Sequence, residues 1–201
     1  MKRLTSRIDQ EISAPVDVVK KIGLIGAQLP NARLAGYKLD GVNFTNANLR
    51  GVDFSNASLR GSIFVGADLS RACLYMADCT GADFSSADMT MSYGKGTLFV
   101  DCTMLWTQLR RVTYKNCFFT NADMERANMA GSFFVGSSFN GASTKGIQNV
   151  NGPHGAIFKW YLSPGGGPPR YESKDGYMEM MTSATGTLSF QENAARRKLG
   201  E

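Results

Sequence analysis

Apolar residues recur along this chain with a period of five. From Leu24, in steps of five, the positions are Leu24, Leu29, Leu34, Leu39, Phe44, Leu49, Phe54, Leu59, Phe64, Leu69, Leu74, Cys79, Phe84, Met89, Gly94, Phe99, Met104, Leu109, Tyr114, Phe119, Met124, Met129, Phe134 and Phe139. Only Gly94 among these central positions lacks a sizeable side chain. Two residues before each stands a small or slim one, such as Ala47, Ala67, Ala87, Thr107 or Ala127. Two residues after, glycine recurs, as at Gly26, Gly51, Gly66 and Gly136. Neither the helical period of 3.6 nor the strand period of 2.0 divides five. A short side whose first and third residues point inward, followed by a tight corner, does fit. A strict short period marks a stacked solenoid.

Segments such as Ala47-Asn48-Leu49-Arg50-Gly51, Ala67-Asp68-Leu69-Ser70-Arg71 and Ala87-Asp88-Met89-Thr90-Met91 resemble the A(D/N)LXX units of the pentapeptide-repeat family. The resemblance holds from Ile22 to Ala142 without a frame slip. It implies an all-β solenoid, a right-handed quadrilateral β-helix of about six coils with four units to each coil. At a strand spacing of about 4.8 Å the rod would be roughly 25–30 Å long. Residues twenty apart would then stack into four interior ladders. The missing side chain at Gly94 would leave a void in one of them, and close packing makes voids costly. Tyr93 or Tyr114 is expected to lean into that space, or the coil to bulge.

The ends fall outside the frame. Residues 1–21 read as an N-terminal cap, with a helix start at Ser13, Pro15 and Asp17. The repeat domain spans 22–144, and 145–201 form a C-terminal extension. Within the extension, Ile157 to Leu162 is a short apolar run, read as a strand or a latch onto the last coil. Pro164-Gly165-Gly166-Gly167-Pro168-Pro169 is a linker. Ser189-Phe190-Gln191-Glu192 has the form of a capping box, predicting a short helix near 190–199.

Charge and cysteine content narrow the chemistry. The net charge of +5 is spread over the whole chain, which argues against a dedicated nucleic-acid domain. Cys79, Cys102 and Cys117 fall on repeat positions that demand small or apolar groups, whereas Cys73 falls on an outward one. No CxxC pair, signal-peptide run or membrane-length apolar stretch is present, so a cytoplasmic setting without membrane contact is expected. The single histidine, His154, lies in a Gly/Asn-rich loop without a neighbour at ligand spacing. The glycines at 165–167 lack the Lys and helix of a phosphate loop. The expectation is therefore no enzyme, no metal, no cofactor and no small-molecule substrate.

The outward positions carry the functional signal. Asp53, Asp68, Asp78, Asp83 and Asp88 form a candidate acidic partner-binding stripe, with Asp68 and Asp88 stacked on one side and Asp83 one side away. The family includes proteins that protect or inhibit DNA gyrase through an acidic, DNA-like rod. A rod of this length would need on the order of 15 negative charges to imitate B-DNA, but residues 22–144 hold nine acids against ten bases. Arg50, Arg71, Arg110 and Arg111 should gather on the side of Asp68 and Asp88 as candidate basic contacts for an acidic partner. Tyr75, Met76, Met91, Tyr93, Leu98, Val100, Leu105, Trp106, Phe118, Phe133 and Val135 would make an apolar patch too large for a bare rod. The extension at 145–201 is the expected cover; a second copy or a protein partner is the other reading. The sequence thus points to a rigid protein-interaction or assembly module, including a homo-oligomer. Its alternatives are a DNA-mimicking modulator of gyrase and a structural component of a larger particle such as a virion.

Overall fold

The computed structural model describes residues 24–148 and three further segments, 157–159, 179–182 and 188–191. The expected cap at 1–21 and the linker at 164–169 lie outside the described residues. Parallel bridges join residues twenty apart, from Gln28 with Asn48 to Asn128 with Gln148. Four five-residue units therefore close one coil. Numbered in chain order, side 1 carries Leu24 and the residues stacked on it, side 2 Leu29, side 3 Leu34 and side 4 Leu39.

On side 3 the bridges widen into strands β1 (Tyr93–Lys95), β2 (Thr113–Lys115) and β3 (Phe133–Val135), paired in parallel. The repeat geometry runs past Ala142 to Gln148. Strand β4 (Ile157–Lys159) then adds to β3, with Ile157 opposite Phe133. That step exceeds twenty by four residues, which is why the sequence frame fades while the stacking continues. The apolar run at 157 is thus a strand on the last coil. Strands β5 (Glu179–Thr182) and β6 (Leu188–Gln191) pair antiparallel. Phe190 and Gln191 consequently belong to a strand instead of the expected helix, whose remainder at 192–199 lies outside the described residues. The alternating pattern of Leu188 to Gln191 suits a strand as well as a cap, and pairing with β5 decides it.

Each side disposes of its five backbone N–H groups in a fixed way, as the Ala47–Gly51 unit shows. Asn48 donates to Ala27 of the preceding coil, and Leu49 and Gly51 donate to Asp68 and Ser70 of the next. The N–H of Val52 closes the corner onto the Leu49 carbonyl. One N–H remains, that of Arg50, and the Asn48 side chain accepts it at 3.3 Å. The same side-chain bond recurs at Asn43, Asp53, Asp68, Asp78, Asp83, Asp88, Asp123 and Asn128. Asp or Asn in the motif is therefore a local acceptor for an otherwise orphaned donor. Ser58 cannot serve the N–H of Arg60 in this way, and there Asp40 of the preceding coil accepts it at 3.0 Å.

Every corner residue from Gly26 to Gly146 has positive φ: twelve are glycine and thirteen are not. With the carbonyl-to-N–H closure this is the type II pattern, in which the third residue must be left-handed. Six of the thirteen are long or bulky, namely Arg71, Met76, Met91, Trp106, Arg111 and Arg126, at a cost of roughly 1–2 kcal/mol each relative to glycine. Asn31, at the corner one coil below Gly51, lies across that glycine: a Cβ there would meet Asn31 Oδ1 at 2.5 Å.

The interior is apolar and stacked at the coil rise. Phe44, Phe64 and Phe84 pile face to face with centroids 4.9 and 4.8 Å apart, and Phe99, Phe119 and Phe139 do so at 4.8 Å. Rings on neighbouring sides meet edge to face, as Phe84 does with Phe99 and Phe134 with Phe119 and Phe139, and Phe54 meets Phe44 and Phe64 edge to face across the interior. Tyr114, one coil above Gly94, fills the space left by the missing side chain. A Cβ on Gly94 would lie 3.2 Å from its ring and would collide with Thr97 Oγ1. The buried Tyr114 hydroxyl pairs with Ser92 Oγ at 2.7 Å. Tyr93, by contrast, points outward. Where the slim inward position is polar, its hydrogen is also used. Ser62, Thr97 and Thr107 donate to the corner carbonyls of Leu39, Leu74 and Phe84 one coil below, and Ser132 does the same to Leu109.

Three outcomes follow for stability. Gly94→Ala should destabilise by about 1–3 kcal/mol through overpacking, and Ser92→Ala by about 1–3 kcal/mol by leaving the Tyr114 phenol unpaired. Thermal or urea melts measure both. Gly51→Ala should lower the melting temperature more than Gly61→Ala, since both have positive φ but only Gly51 has a neighbour within 4 Å.

Candidate interaction surfaces

The twenty-residue register assigns each outward residue to a side. Side 2 carries the column Gln28, Asn48, Asp68, Asp88, Gln108, Asn128 and Gln148. Asn48 donates to Gln28 and Asn128 to Gln108, both at 3.1 Å, so amides bond along the column. Side 3 carries Arg33, Asp53, Cys73, Tyr93, Thr113 and Phe133; side 4 carries Lys38, Ser58, Asp78, Leu98, Phe118 and Ser138. Side 1 carries Asn43, Ile63, Asp83, Thr103, Asp123 and Ser143.

The five candidate acids are dispersed by this register. Asp68 and Asp88 stack on side 2 and Asp83 lies on side 1, as the period implies, but Asp53 is on side 3 and Asp78 on side 4. All five accept the N–H two residues on, at 2.8–3.0 Å. Asp78 also pairs with Arg60 at 3.3 Å. Hydrogen bonds from Ser55, joined by one from Cys73 and the charge of Arg33, hold Asp53 below the usual carboxylate range. These carboxylates are fold-building groups first. Asp68→Ala should remove one such bond, about 1 kcal/mol, while Asp68→Asn should retain most of it; a melting series distinguishes them.

The apolar candidates fall into two groups. Tyr75, Tyr93 and Phe133 are on side 3, Leu98 and Phe118 on side 4, and Met91 and Met76 on the edges bounding side 3. Tyr75, Met76, Met91, Tyr93, Phe118 and Phe133 are each 43–52% exposed, whereas Leu98, Leu105, Val100 and Val135 are half-buried. Leu105 and Trp106 belong elsewhere, on side 1 and its edge with side 2, across the rod from Tyr75, Tyr93 and Phe133. Trp106 is roofed by Arg126, whose guanidinium carbon lies 4.6 Å from the ring centroid and whose Nε lies 3.6 Å from Glu125. Arg50 and Arg110 lie on side 2, and Arg71 and Arg111 on its edge with side 3, all exposed.

The cysteines are all free and buried, Cys73 included despite its outward position. Its sulfur lies 3.0 Å from Ser55 Oγ, between the Asp53 and Tyr93 rungs, an environment that five-residue periodicity does not reveal. Its hydrogen bond to Tyr93 is the main influence raising the Tyr93 phenol. Burial pushes Cys79 and Cys117 up and brings Cys102 to about 12. Folding thus favours the protonated thiols. Their contribution to stability is present below the ordinary thiol value of 9.0 and is lost as pH rises from there through about 12. With a thiol-specific chromogenic disulfide near pH 8, native protein should show almost no reaction and denatured protein all four thiols.

Among the described residues no helix is long and apolar enough to cross a membrane, and no group of three His, Cys, Asp or Glu could hold a metal ion.

The four-sided coil and its motif define the class. The model for pentapeptide repeats matches eight copies over residues 24–56, 38–74, 77–113 and 104–141. The chain therefore belongs to the pentapeptide-repeat family, whose fold is the right-handed quadrilateral β-helix. Similar solved structures include HetL, a pentapeptide repeat protein involved in heterocyst differentiation regulation from the cyanobacterium Nostoc sp. strain PCC 7120. It is 23% identical over 65% of each chain, with a TM-score of 0.28, so the alignment spans just under two thirds of HetL. A pentapeptide repeat protein from the Arabidopsis thaliana thylakoid lumen is 27% identical over 72% of this chain and 74% of its own, with a TM-score of 0.22. A trypsin-treated variant of QnrB1, a plasmid-mediated fluoroquinolone resistance protein, is 14% identical over 60% of this chain and 79% of its own, with a TM-score of 0.35. No curated protein matches by sequence.

Proposed function

We propose that this chain is a non-catalytic protein-interaction or assembly module. Its rod of about six coils would be capped by residues 1–21 and extended by 145–201. The observation that carries this reading is the exposed aromatic and thioether surface of sides 3 and 4: Tyr75, Met76, Met91, Tyr93, Phe118 and Phe133. Large exposed apolar clusters mark contact surfaces, and a hydrogen-bonded rod holds these side chains at fixed spacing, so little ordering is lost on binding. Light scattering of the full chain over a concentration series, beside the double variant Tyr93→Asp with Phe133→Asp, tests it. An oligomer that the double variant converts to folded monomers supports the reading. An oligomer that survives the substitution removes these sides from the contact, and the reading with them. A monomer in both cases assigns the surface to the extension.

A second reading, a DNA-mimicking modulator of gyrase, draws on Asp68 and Asp88 stacking on one side. The near balance of charge in the repeats, and the use of these carboxylates as backbone acceptors, weigh against it. A supercoiling assay decides: inhibition that Asp68→Asn with Asp88→Asn abolishes would favour the mimic.

A further inference from the structure

We infer that side 2, with its two edges, is a docking surface for an acidic, extended segment of a protein partner; the inference rests on the interaction-module reading. The first observation is where the chain accepts left-handed backbone under large side chains. Of the six long or bulky corner residues, five border side 2: Trp106 and Arg126 on one edge, Arg71, Met91 and Arg111 on the other. The remaining corners are Gly, Asn, Asp or Ser, apart from Met76. Glycine would satisfy those corners with less strain, so the bulk is explained by what the side chains do outside the rod. Their identities, Trp, Arg and Met, are those enriched at contact surfaces.

The second observation is the charge left available. Asp68 and Asp88 in the floor each accept a backbone N–H through Oδ1. Arg50, Arg71, Arg110 and Arg111 are exposed, and none makes an ion pair among the described residues. Four arginines thus stand over a floor of amides, hydroxyls and two engaged carboxylates. Arginine forks pair bidentately with carboxylates, which fits an acidic occupant.

The third is shape. Three extended residues make each side about 10 Å across, room for one extended chain between the edges. Arg71 and Arg111 are two coils apart, about 10 Å, or roughly three residues of extended peptide. Duplex DNA, with a phosphate charge every ~1.7 Å, would meet Asp68 and Asp88 in mid-floor. A peptide can place its carboxylates over the arginines alone.

The test is fluorescence anisotropy of the full chain with a labelled twelve-residue peptide of alternating glutamate and serine at low salt. Saturable binding is expected, weakened at least tenfold by Arg110→Glu with Arg111→Glu and changed less than twofold by Lys95→Glu with Lys115→Glu on side 3. Circular dichroism checks the fold of each variant, and Arg71→Glu, two coils away, provides an independent third variant with the same expected loss. Equal weakening by the side 2 and side 3 pairs, absence of saturation, or preferential displacement of the peptide by duplex DNA would overturn the assignment. If side 2 fails while the light-scattering contact through sides 3 and 4 holds, the docking surface falls and the module reading stands.

Discussion

A five-residue side leaves one N–H that the stacked backbone does not satisfy, and the rest of the rod depends on how that donor is met. Four of the five groups go to the coil below, the coil above or the corner closure; the fifth is met by a side-chain oxygen wherever Asp or Asn stands two residues before it and bonds to it, as at Asp53, Asp68 and Asp88. Asp and Asn supply that oxygen with a short side chain and no ordering of a long one. Their recurrence just before the central apolar residue thus meets a backbone hydrogen-bond need, as at Asn43 before Phe44 and Asp83 before Phe84. At Ser58 the local acceptor is missing, and Asp40 one coil below replaces it.

This constraint bears on how the surface is read. Acidic residues on a pentapeptide-repeat rod invite comparison with a polyanion, yet here each candidate carboxylate has one oxygen tied to the backbone and the five are shared among all four sides. The arginines and bulky corner residues carry no such duty. The corner residues among them occupy positions that glycine would fill with less strain, which makes them stronger candidates for binding than the backbone-tied aspartates.

Polar groups in the interior follow the same logic. Serine and threonine replace alanine at slim inward positions without loss because a corner carbonyl of the preceding coil accepts their hydrogen. Tyr114 enters an otherwise apolar ladder because Gly94 leaves room for its ring and Ser92 meets its hydroxyl. Each is a pair, one residue making the other tolerable at a distance of about one coil.

The sequence by itself determined the period of five, and its resemblance to the pentapeptide-repeat motif implied the four-sided coil; together these gave the interior ladders and the stacking of Asp68 on Asp88, because a strict repeat of known coil size converts chain position directly into place in space. It also narrowed the answer to the void at Gly94 to Tyr93, Tyr114 or a bulge of the coil. Only the tertiary structure decided that Tyr114 fills the void and that Cys73 is covered. It likewise decided that stacking resumes at Ile157 after four extra residues, and that Leu188 to Gln191 is a strand. The physical reason is common to all of these. Periodicity says which side a residue is on, but burial, hydrogen-bond partners and strand pairing depend on which particular side chains and segments meet in space, where the repeat is silent or has been broken.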